Sequence, residues 1–317
     1  MILTKIFCDI DDFMREFEGL YRQKMIEDKS IKKSINSKLS MSEVMTIVVY
    51  FHRSGYRTFK DFYLKHILKN LKLAFPNIVS YNRFVELIPT VLVALVTFLK
   101  LKRLVKSDEI TFIDSTKIAI CKNKRIKANL VFKGIAERGK STMGWFYGFK
   151  LHIAINEKGE LVGASISKGN VDDRNVDVLD GVLENVSGKL YADKGYISKK
   201  LFEHLYEEGI TLVTNVRKNM KNRLIPIMDK LLLRKRSVIE TVNDQLKNLC
   251  DIEHSRSRSP INFMVNMIAG LIRYTYSPKL PSINFSLKDR EILGDFTFSN
   301  PLNVDDNVSS SPFRLSN

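Results

Sequence analysis

The chain has 317 residues, enough for about two domains, and a hydrophobic content of 44%, enough for a sizeable core. Its three cysteines are scattered and none forms a zinc-binding pattern, which predicts a reduced cytoplasmic protein. The N-terminus is acidic, unlike a secretory signal, and the longest uncharged apolar stretch, residues 87–99, is too short to span a bilayer. We therefore expect no membrane association.

The formal net charge of +16 predicts a polyanionic partner such as nucleic acid, although a generally lysine-rich composition would give the same total. Residues 217–258 hold eleven Lys and Arg against five Asp and Glu, whereas residues 281–317 hold three against five. Basic charge concentrated in one segment favours phosphate binding at that segment.

Residues 1–105 are predicted to be helical. Helices are expected over 11–27, 40–52 and 59–71, and Ser40 with Glu43 forms the pattern of a capping box. Ser80 can cap a further helix whose first turn is polar and basic, as in helices that read DNA. An ordinary helical domain would show the same features, so the DNA-binding role of this region is a hypothesis.

From about residue 107 the hydrophobic period changes to that of an α/β region. The remaining elements are predicted as strands over 111–120, 145–156, 160–167, 189–192 and 210–216, and as helices over 172–186, 198–208, 236–249 and from 259 onward. This order predicts an α/β fold, an RNase H-like mixed sheet with flanking helices, over residues 106–280. Residues 281–317 are predicted to be a mobile tail.

Three carboxylates are the strongest candidates for chemistry. Asp114 interrupts an apolar strand, where a carboxylate is costly unless it is paired or metal-bound. Asp193 follows a short strand, and Glu240 lies on a basic helix. In the predicted sheet the first strand neighbours the strand before Asp193, so the three side chains are expected to converge despite separations of 79 and 47 positions.

The helix around Glu240 carries a polar face with Arg236, Asn243 and Lys247, and its apolar face is expected to pack on the sheet. A salt-bridged surface helix would show the same pairing of Arg236 with Glu240. Oxygen ligands without a His or Cys cluster indicate two Mg²⁺ or Mn²⁺ ions rather than zinc. Two such ions can drive attack on a phosphodiester.

The chain resembles DDE transposases of bacterial insertion sequences, most closely the insertion-sequence 982 family. The matching segments cover about 110–275 and are FIDSTKIAIC, VFKGIAERGKSTMGWFYGFKLHIAIN, GNVDDRNVDVLD, LYADKGYIS, LLRKRSVIETVNDQLKNL and IEHSRSRSPINFMVNMIAGLI. Related families carry a Tyr-Arg-Glu-Lys signature on the last catalytic helix. Arg236, Glu240 and Lys247 match its last three members, whereas Leu233 stands at the Tyr position.

The resemblance implies a DDE triad of Asp114, Asp193 and Glu240, with magnesium-dependent cleavage at terminal inverted repeats and joining of 3′-OH ends to target DNA. It implies double-stranded DNA as the partner, a homodimer at synapsis, and a bacterial, cytoplasmic, nucleoid-associated protein. Arg236, Lys247, Asn243, Arg256 and Arg258 are expected to contact DNA. The alternatives are a silent repressor of transposition and an RNase H-like nuclease without strand transfer.

Several other polar and aromatic residues have a structural interpretation. Asp172 and Asp173 are interpreted as helix caps, and His152 as a structural or surface histidine. Trp145 and Tyr147 are expected to pack in the core rather than to stack on a base. Residues 133–140 lack the spacing of a phosphate-binding loop and are assigned no nucleotide.

Overall fold

The structure is a computed structural model that describes residues 2–27, 38–142, 144–216, 224–253, 258–286 and 289. Its N-terminal part is helical, as the sequence predicts. The helices are α1 (Ile2–Glu27), α2 (Met41–Phe51), α3 (Phe59–Phe62), α4 (Leu68–Asn70), α5 (Tyr81–Leu87) and α6 (Leu92–Phe98). The capping box that opens α2 is confirmed, because Ser40 accepts from the backbone N–H of Glu43 and Glu43 accepts from that of Ser40.

Two of these helices continue through irregular turns. A π-helical turn, Tyr63–Ile67, joins α3 to α4, and a 3₁₀ turn, Ile88–Val91, joins α5 to α6. A second π-helical turn extends α6, giving a helical run of 23 residues from Tyr81 to Arg103. By length and composition this run is long and apolar enough to cross a membrane, and 44% of its most apolar stretch is buried inside the protein.

The centre of the molecule is a mixed sheet of six strands. The strands are β1 (Ile110–Cys121), β2 (Glu137–Ser141), β3 (Gly144–Asn156), β4 (Leu161–Lys168), β5 (Gly188–Ala192) and β6 (Ile210–Thr214). β1 lies centrally, antiparallel to β3 on one side and parallel to β5 on the other, and β5 pairs in parallel with β6. β3 is long enough to pair with β2 along its first part and with β4 along its second. This is the RNase H-like arrangement that the sequence predicts.

Helices cover both faces of the sheet. They are α7 (Val176–Leu183), α8 (Lys199–Glu207), α9 (Ile227–Lys235), α10 (Ser237–Asn248) and α11 (Pro260–Thr275). Successive side chains of a strand point to opposite faces. Accordingly Phe112 belongs to the core cluster that includes residues of α10 and α11, and Ile113 to the cluster that includes residues of α7 and α8.

The larger of the two core clusters continues into the N-terminal helices. α11 packs against α2 and α6, and Tyr274 in α11 donates a hydrogen bond to the carbonyl of Gly159 at 2.8 Å. Arg103 binds the backbone and side chain of Thr275 and lies over the ring of Tyr276. The division of the chain near residue 105 stays a prediction, and the core on its two sides is continuous.

Four stretches differ from the sequence-based prediction. β2 forms where the sequence predicts no strand, because its polar residues need only an edge partner, which β3 supplies. α9 was not predicted, and α7 begins after Asn175, the residue that caps it. Residues 281–286 lie in the segment predicted as a tail, yet Ile283 bonds to the carbonyl of Glu157 and packs on the core. The remainder of that segment, apart from Asp289, lies outside the described residues.

Candidate active site

Asp114 and Asp193 lie side by side because their strands are parallel neighbours. The register of β1 and β5 pairs Phe112 with Tyr191, and continuing it by two residues brings Asp114 next to Asp193. Asp193 follows the last residue of β5, is exposed, and accepts the backbone N–H of Lys194 at 2.7 Å. The carboxyl end of β5 is where an α/β sheet places its reactive side chains.

Helix α10 brings the third carboxylate to the same place. Asn243 in α10 donates its amide N–H to Oδ2 of Asp114 at 2.9 Å. Arg236, at the start of α10, lies 3.1 Å from Oε1 of Glu240 and 3.9 Å from Oδ1 of Asp114. One guanidinium therefore faces two of the three candidate carboxylates.

The other two candidate carboxylates act electrostatically on Asp114. The pKa of Asp114 is raised to about 6, first by burial and then by the negative charges of Glu240 and Asp193. Arg236 and the backbone N–H of Ser115 act in the opposite direction without reversing the shift. A carboxylate held this way is short of positive charge, which a bound cation would supply.

The donor set fits a hard divalent cation in chemistry. All three candidates offer carboxylate oxygens, the ligands that Mg²⁺ and Mn²⁺ prefer. Among the described residues, no three His, Cys, Asp or Glu side chains stand in a ready metal-holding arrangement. Each candidate carboxylate instead accepts a hydrogen bond, Asp193 from Lys194, Glu240 from Arg236 and Asp114 from Asn243.

Asp173 belongs to this polar cluster, and its assignment as a helix cap was wrong. Its Oδ1 accepts from Ser115 Oγ at 2.9 Å and from Lys150 Nζ at 3.0 Å, so it is tied to the residue next to Asp114. Asn175 caps α7 instead. Asp172 binds the Arg174 backbone N–H and guanidinium, so it closes a turn before the helix. The Asp-Asp pair within GNVDDRNVDVLD was the signal that could have indicated this role.

Tyr196 is a further member that the sequence-based interpretation missed. Its ring is buried, and burial together with the charges of Asp173 and Asp114 raises the pKa of its hydroxyl well above the usual range. It therefore stays a neutral phenol beside two carboxylates. LYADKGYIS contains it, three positions after Asp193.

Residues 104–260 match a family model described as a transposase DDE domain. The match supports a DDE-type transposase. It spans β1 through α10, so Asp114, Asp193 and Glu240 all lie within the matched DDE domain. No curated protein matches the chain.

Among solved structures, the chain is similar to a piggyBac transposase in a cryo-EM structure of its synaptic complex with hairpin DNA. The two share 12% identity over 86% of this chain and 72% of that one, with a TM-score of 0.43. With so low an identity and TM-score, the similarity says nothing about the function of this chain. The strand order described above is an observation of this structure alone.

The residues predicted to contact DNA differ from one another in burial and in partners. The Asn243 side chain is buried against Asp114, Lys247 pairs with Glu253 at 3.4 Å, and Arg258 is exposed before α11. Arg236 faces the carboxylates, and Arg256 lies outside the described residues. The role of all five in binding DNA stays a prediction.

The remaining candidates fall into two groups. His152 is fully buried and shares a hydrogen bond with Ser167 Oγ, and Tyr147 is buried and donates to the carbonyl of Phe132. Both are structural, as expected. Trp145 is 56% exposed, so the expectation that it packs in the core was wrong. Gly144 and Trp145 begin β3, where Trp145 pairs with Lys140 of β2.

Proposed function

We propose that the chain is a magnesium- or manganese-dependent DNA transposase of a bacterial insertion sequence of the 982 type. The observation that carries the proposal is the placement of Asp193 and Glu240 close enough to Asp114 for their negative charges to act on its carboxyl, within the region matched as a transposase DDE domain. Two neighbouring acids, Glu240 and Asp193, raise the pKa of the partly buried Asp114 carboxyl, which is costly for folding, and such groups concentrate at functional sites.

Asp114, Asp193 and Glu240 would hold the two metal ions. When bound, these ions activate an attacking water or 3′-OH and stabilise the leaving oxygen of the phosphodiester. The protein contributes the placement of the ligands. Asn243 fixes one oxygen of Asp114, and the parallel register of β1 with β5 fixes the separation of the two aspartates.

Arg236 has a second task in this proposal. Its guanidinium balances Glu240 and Asp114, and it can instead bind the phosphate that enters between them, because Arg binds phosphate in the same forked geometry as carboxylate. Arg258, exposed at the start of the last helix, is proposed to contact the backbone of the flanking DNA.

The proposed substrates are the inverted-repeat ends of the element and a double-stranded target. A net charge of +16 favours association with DNA in the bacterial nucleoid. Pairing of two ends requires two active sites, and for that reason we propose a homodimer at synapsis.

The test is an assay of the full chain with duplexes that carry the inverted repeats flanking its gene. With Mg²⁺ we expect nicking at the repeat boundary followed by joining of the new 3′ end to a plasmid, and neither product in EDTA. Cleavage without joining would show that the chain is a nuclease and not a transposase. Specific binding without cleavage would show that it is a repressor.

The matched control is Asp108→Asn, an exposed aspartate that precedes β1 and accepts from Ser187. We expect this variant to cleave like the unchanged chain. Cleavage that survives in Asp114→Asn would contradict the assignment of the triad.

A further inference from the structure

The strands β1 and β3 continue together far beyond the candidate carboxylates. β5 pairs with β1 over Ile110–Phe112, whereas β1 runs on to Cys121, which lies opposite Tyr147 of β3. Cys121 comes seven positions after Asp114, and at about 3.4 Å per residue this is a distance of about 24 Å. The far end of β1 and β3 is therefore a separate surface from the candidate active site.

Three basic segments meet at that far end. The 3₁₀ turn Asn123–Arg125 follows β1, and Asn123 donates its side-chain N–H to the backbone oxygen of Trp145 at 2.8 Å, which holds the turn against the start of β3. In β2, Lys140 pairs with Trp145, and the guanidinium of Arg138 lies 5.4 Å from the Trp145 ring. The cations of this surface, which we call the basic end, are Lys122, Lys124, Arg125, Arg138 and Lys140.

Two glycines fix the position of β2 in the basic end. A Cβ added to Gly139 would lie 2.0 Å from the carbonyl oxygen of Gly169, and one added to Gly169 would lie 2.6 Å from that of Glu137. Because neither position has room for a side chain, β2 lies directly against the segment after β4. Arg138 and Lys140, on either side of Gly139, are therefore held on a strand of the sheet.

The positive charge of the basic end is not neutralised by the fold. Residues 122–140 contain seven Lys and Arg and one acid. The five cations are exposed, and within the described residues none of them forms an ion pair. Two acids line the adjoining groove of about 580 Å³, but Asp172 lies 2.7 Å from the guanidinium of Arg174. The other, Asp173, lies 3.0 Å from Nζ of Lys150. Such a concentration of unpaired cations favours a polyanion.

The polyanion that fits is the duplex on which the carboxylates are proposed to act. The phosphates of one DNA strand follow one another at about 3.4 Å along the helix axis, so about 24 Å corresponds to about seven base pairs. A duplex that lies across Asp114 and Asp193 and continues along β1 and β3 brings its backbone to the basic end.

We propose that the basic end binds the backbone of duplex DNA about seven base pairs from the phosphate at the carboxylates. The inference rests on the proposed function, because it takes the duplex to lie across Asp114 and Asp193. It adds a second point of contact, which fixes the direction in which the duplex leaves the candidate active site. Contacts to phosphates position a duplex without reading its sequence. The basic end thus aligns the substrate and leaves the choice of sequence to other residues.

The salt dependence of DNA binding tests the proposal. The full chain in EDTA is titrated at several salt concentrations against a labelled duplex that contains the inverted-repeat boundary, and affinity is measured by anisotropy. One double variant combines Lys124→Gln with Arg125→Gln, and another combines Arg138→Gln with Lys140→Gln. Each lost phosphate contact should lower the slope of log affinity against log salt by about 1, so each double variant should lower it by about 2. Since the two variants change different segments, a local folding defect in one leaves the other as a test.

The matched control combines Lys106→Gln with Lys158→Gln. Both lysines are exposed, and they lie before β1 and after β3, at the opposite ends of these strands from the basic end. This variant removes the same charge and should keep the slope of the unchanged chain. A slope that falls equally in all three variants would show an effect of net charge alone and overturn the proposal. An unchanged slope in both basic-end variants would overturn it as well.

The length of the duplex tests the distance. Duplexes are prepared that extend about three or about ten base pairs beyond the repeat boundary, on each side in turn, which at 3.4 Å per base pair end before or after the basic end. The basic-end variants should bind the short duplexes as the unchanged chain does, and should bind the longer duplex more weakly on one of the two sides. A difference that is equally large on the short duplexes would place the contact at the boundary and overturn the proposal.

The failure of this inference can be distinguished from that of the proposed function. Lowered slopes in the basic-end variants, without end cleavage by the unchanged chain in Mg²⁺, would show a DNA-binding surface on a protein that is not a transposase. End cleavage by the unchanged chain, with unchanged slopes in both variants, would show a transposase whose DNA does not reach the basic end.

Discussion

Two aspartates lie against the central sheet, and they are held in opposite ways. Asp229 in α9 is 5% exposed and accepts from Lys189 Nζ and from the hydroxyl of Tyr191, each at 2.8 Å. Asp114 in β1 has a side chain that is 24% exposed, and its nearest cation lies 3.9 Å away.

The charged and polar groups around the two aspartates also differ. The charge of Asp229 meets a lysine and a phenol, and hydrogen bonds of this kind compensate the loss of solvent. Asp114 meets Glu240 and Asp193, which raise its pKa, and a guanidinium that it shares with Glu240. One site is satisfied by the fold, whereas the other is left with negative charge that folding does not require. In the proposed function a bound cation would neutralise this negative charge, whereas Asp229 needs none.

The largest expected effect is that of Asp114→Asn on activity. The asparagine has the same shape but loses the charge, so cleavage of element ends should fall on the order of 10³-fold or more. The free energy of unfolding should stay the same or rise, because one of three mutually repelling carboxylates is gone. A gel-based cleavage assay and urea unfolding measure the two quantities. Lost folding together with lost cleavage would make Asp114 a structural residue like Asp229.

Asp229→Asn should show the reverse pattern. Lys189 loses its partner, and we expect the free energy of unfolding to fall by about 2 kcal/mol, less than for a fully buried pair because the Lys189 side chain is 45% exposed. Cleavage per folded molecule should not change. Urea unfolding measures the change, with Asp108→Asn as the control variant. If Asp229→Asn lost cleavage but kept its stability, Asp229 would not be a purely structural residue.

His52 provides a buried polar group remote from both aspartates. Burial lowers its pKa to about 4, from an ordinary value of 6.5, and its Nδ1 bonds to the carbonyl of Cys250. Between those pH values the unfolded chain binds a proton that the folded chain does not. The free energy of unfolding should therefore fall as the pH decreases, by up to about 1.4 kcal/mol per pH unit from this group.

The His52→Gln variant should lose this contribution to the pH dependence of the free energy of unfolding. His152 is buried in the sheet with a pKa also lowered to about 4, so His152→Gln should remove its own share and the double variant both. Urea unfolding at several pH values between 4 and 7 provides the data. Identical slopes in all four proteins would show that neither histidine resists protonation in the fold.

The smallest expected change in folding is that of Glu240→Gln. The Glu240 side chain is 60% exposed and its ion pair with Arg236 is short but solvated, so the free energy of unfolding should change by less than about 0.5 kcal/mol. Cleavage should nevertheless be lost, as in Asp114→Asn. A variant that cleaves normally would take Glu240 out of the triad.

Much of the fold could be predicted from local pattern. Ser40 and Glu43 form the capping box they predict, and alternation in β1, β3 and β4 identifies the hairpin strands. β2 could not be predicted in this way, because its five residues have no strand-like composition and form a strand through the partner they meet. α9 was missed because a short apolar run among basic residues does not by itself choose between helix and loop.

Some features of the candidate site could likewise be predicted from the sequence, and others could not. Asp114, Asp193 and Glu240 could be selected from the sequence, because carboxylates stand out in an apolar strand, after a strand and on a basic helix. The bonds from Asp173 to Ser115 and Lys150, the burial of Asn243 and the exposure of Trp145 could not, since they depend on which elements meet.

The sequence by itself determined the alternating elements, the basic charge and the three acids, because each of these is a property of neighbouring residues along the chain. Tertiary structure alone decided that β1 lies parallel to β5, that one guanidinium serves two carboxylates, and that two glycines bring β2 against the segment after β4. Those outcomes arise from packing between residues far apart in the chain, where burial and shared partners rather than local pattern set the energy.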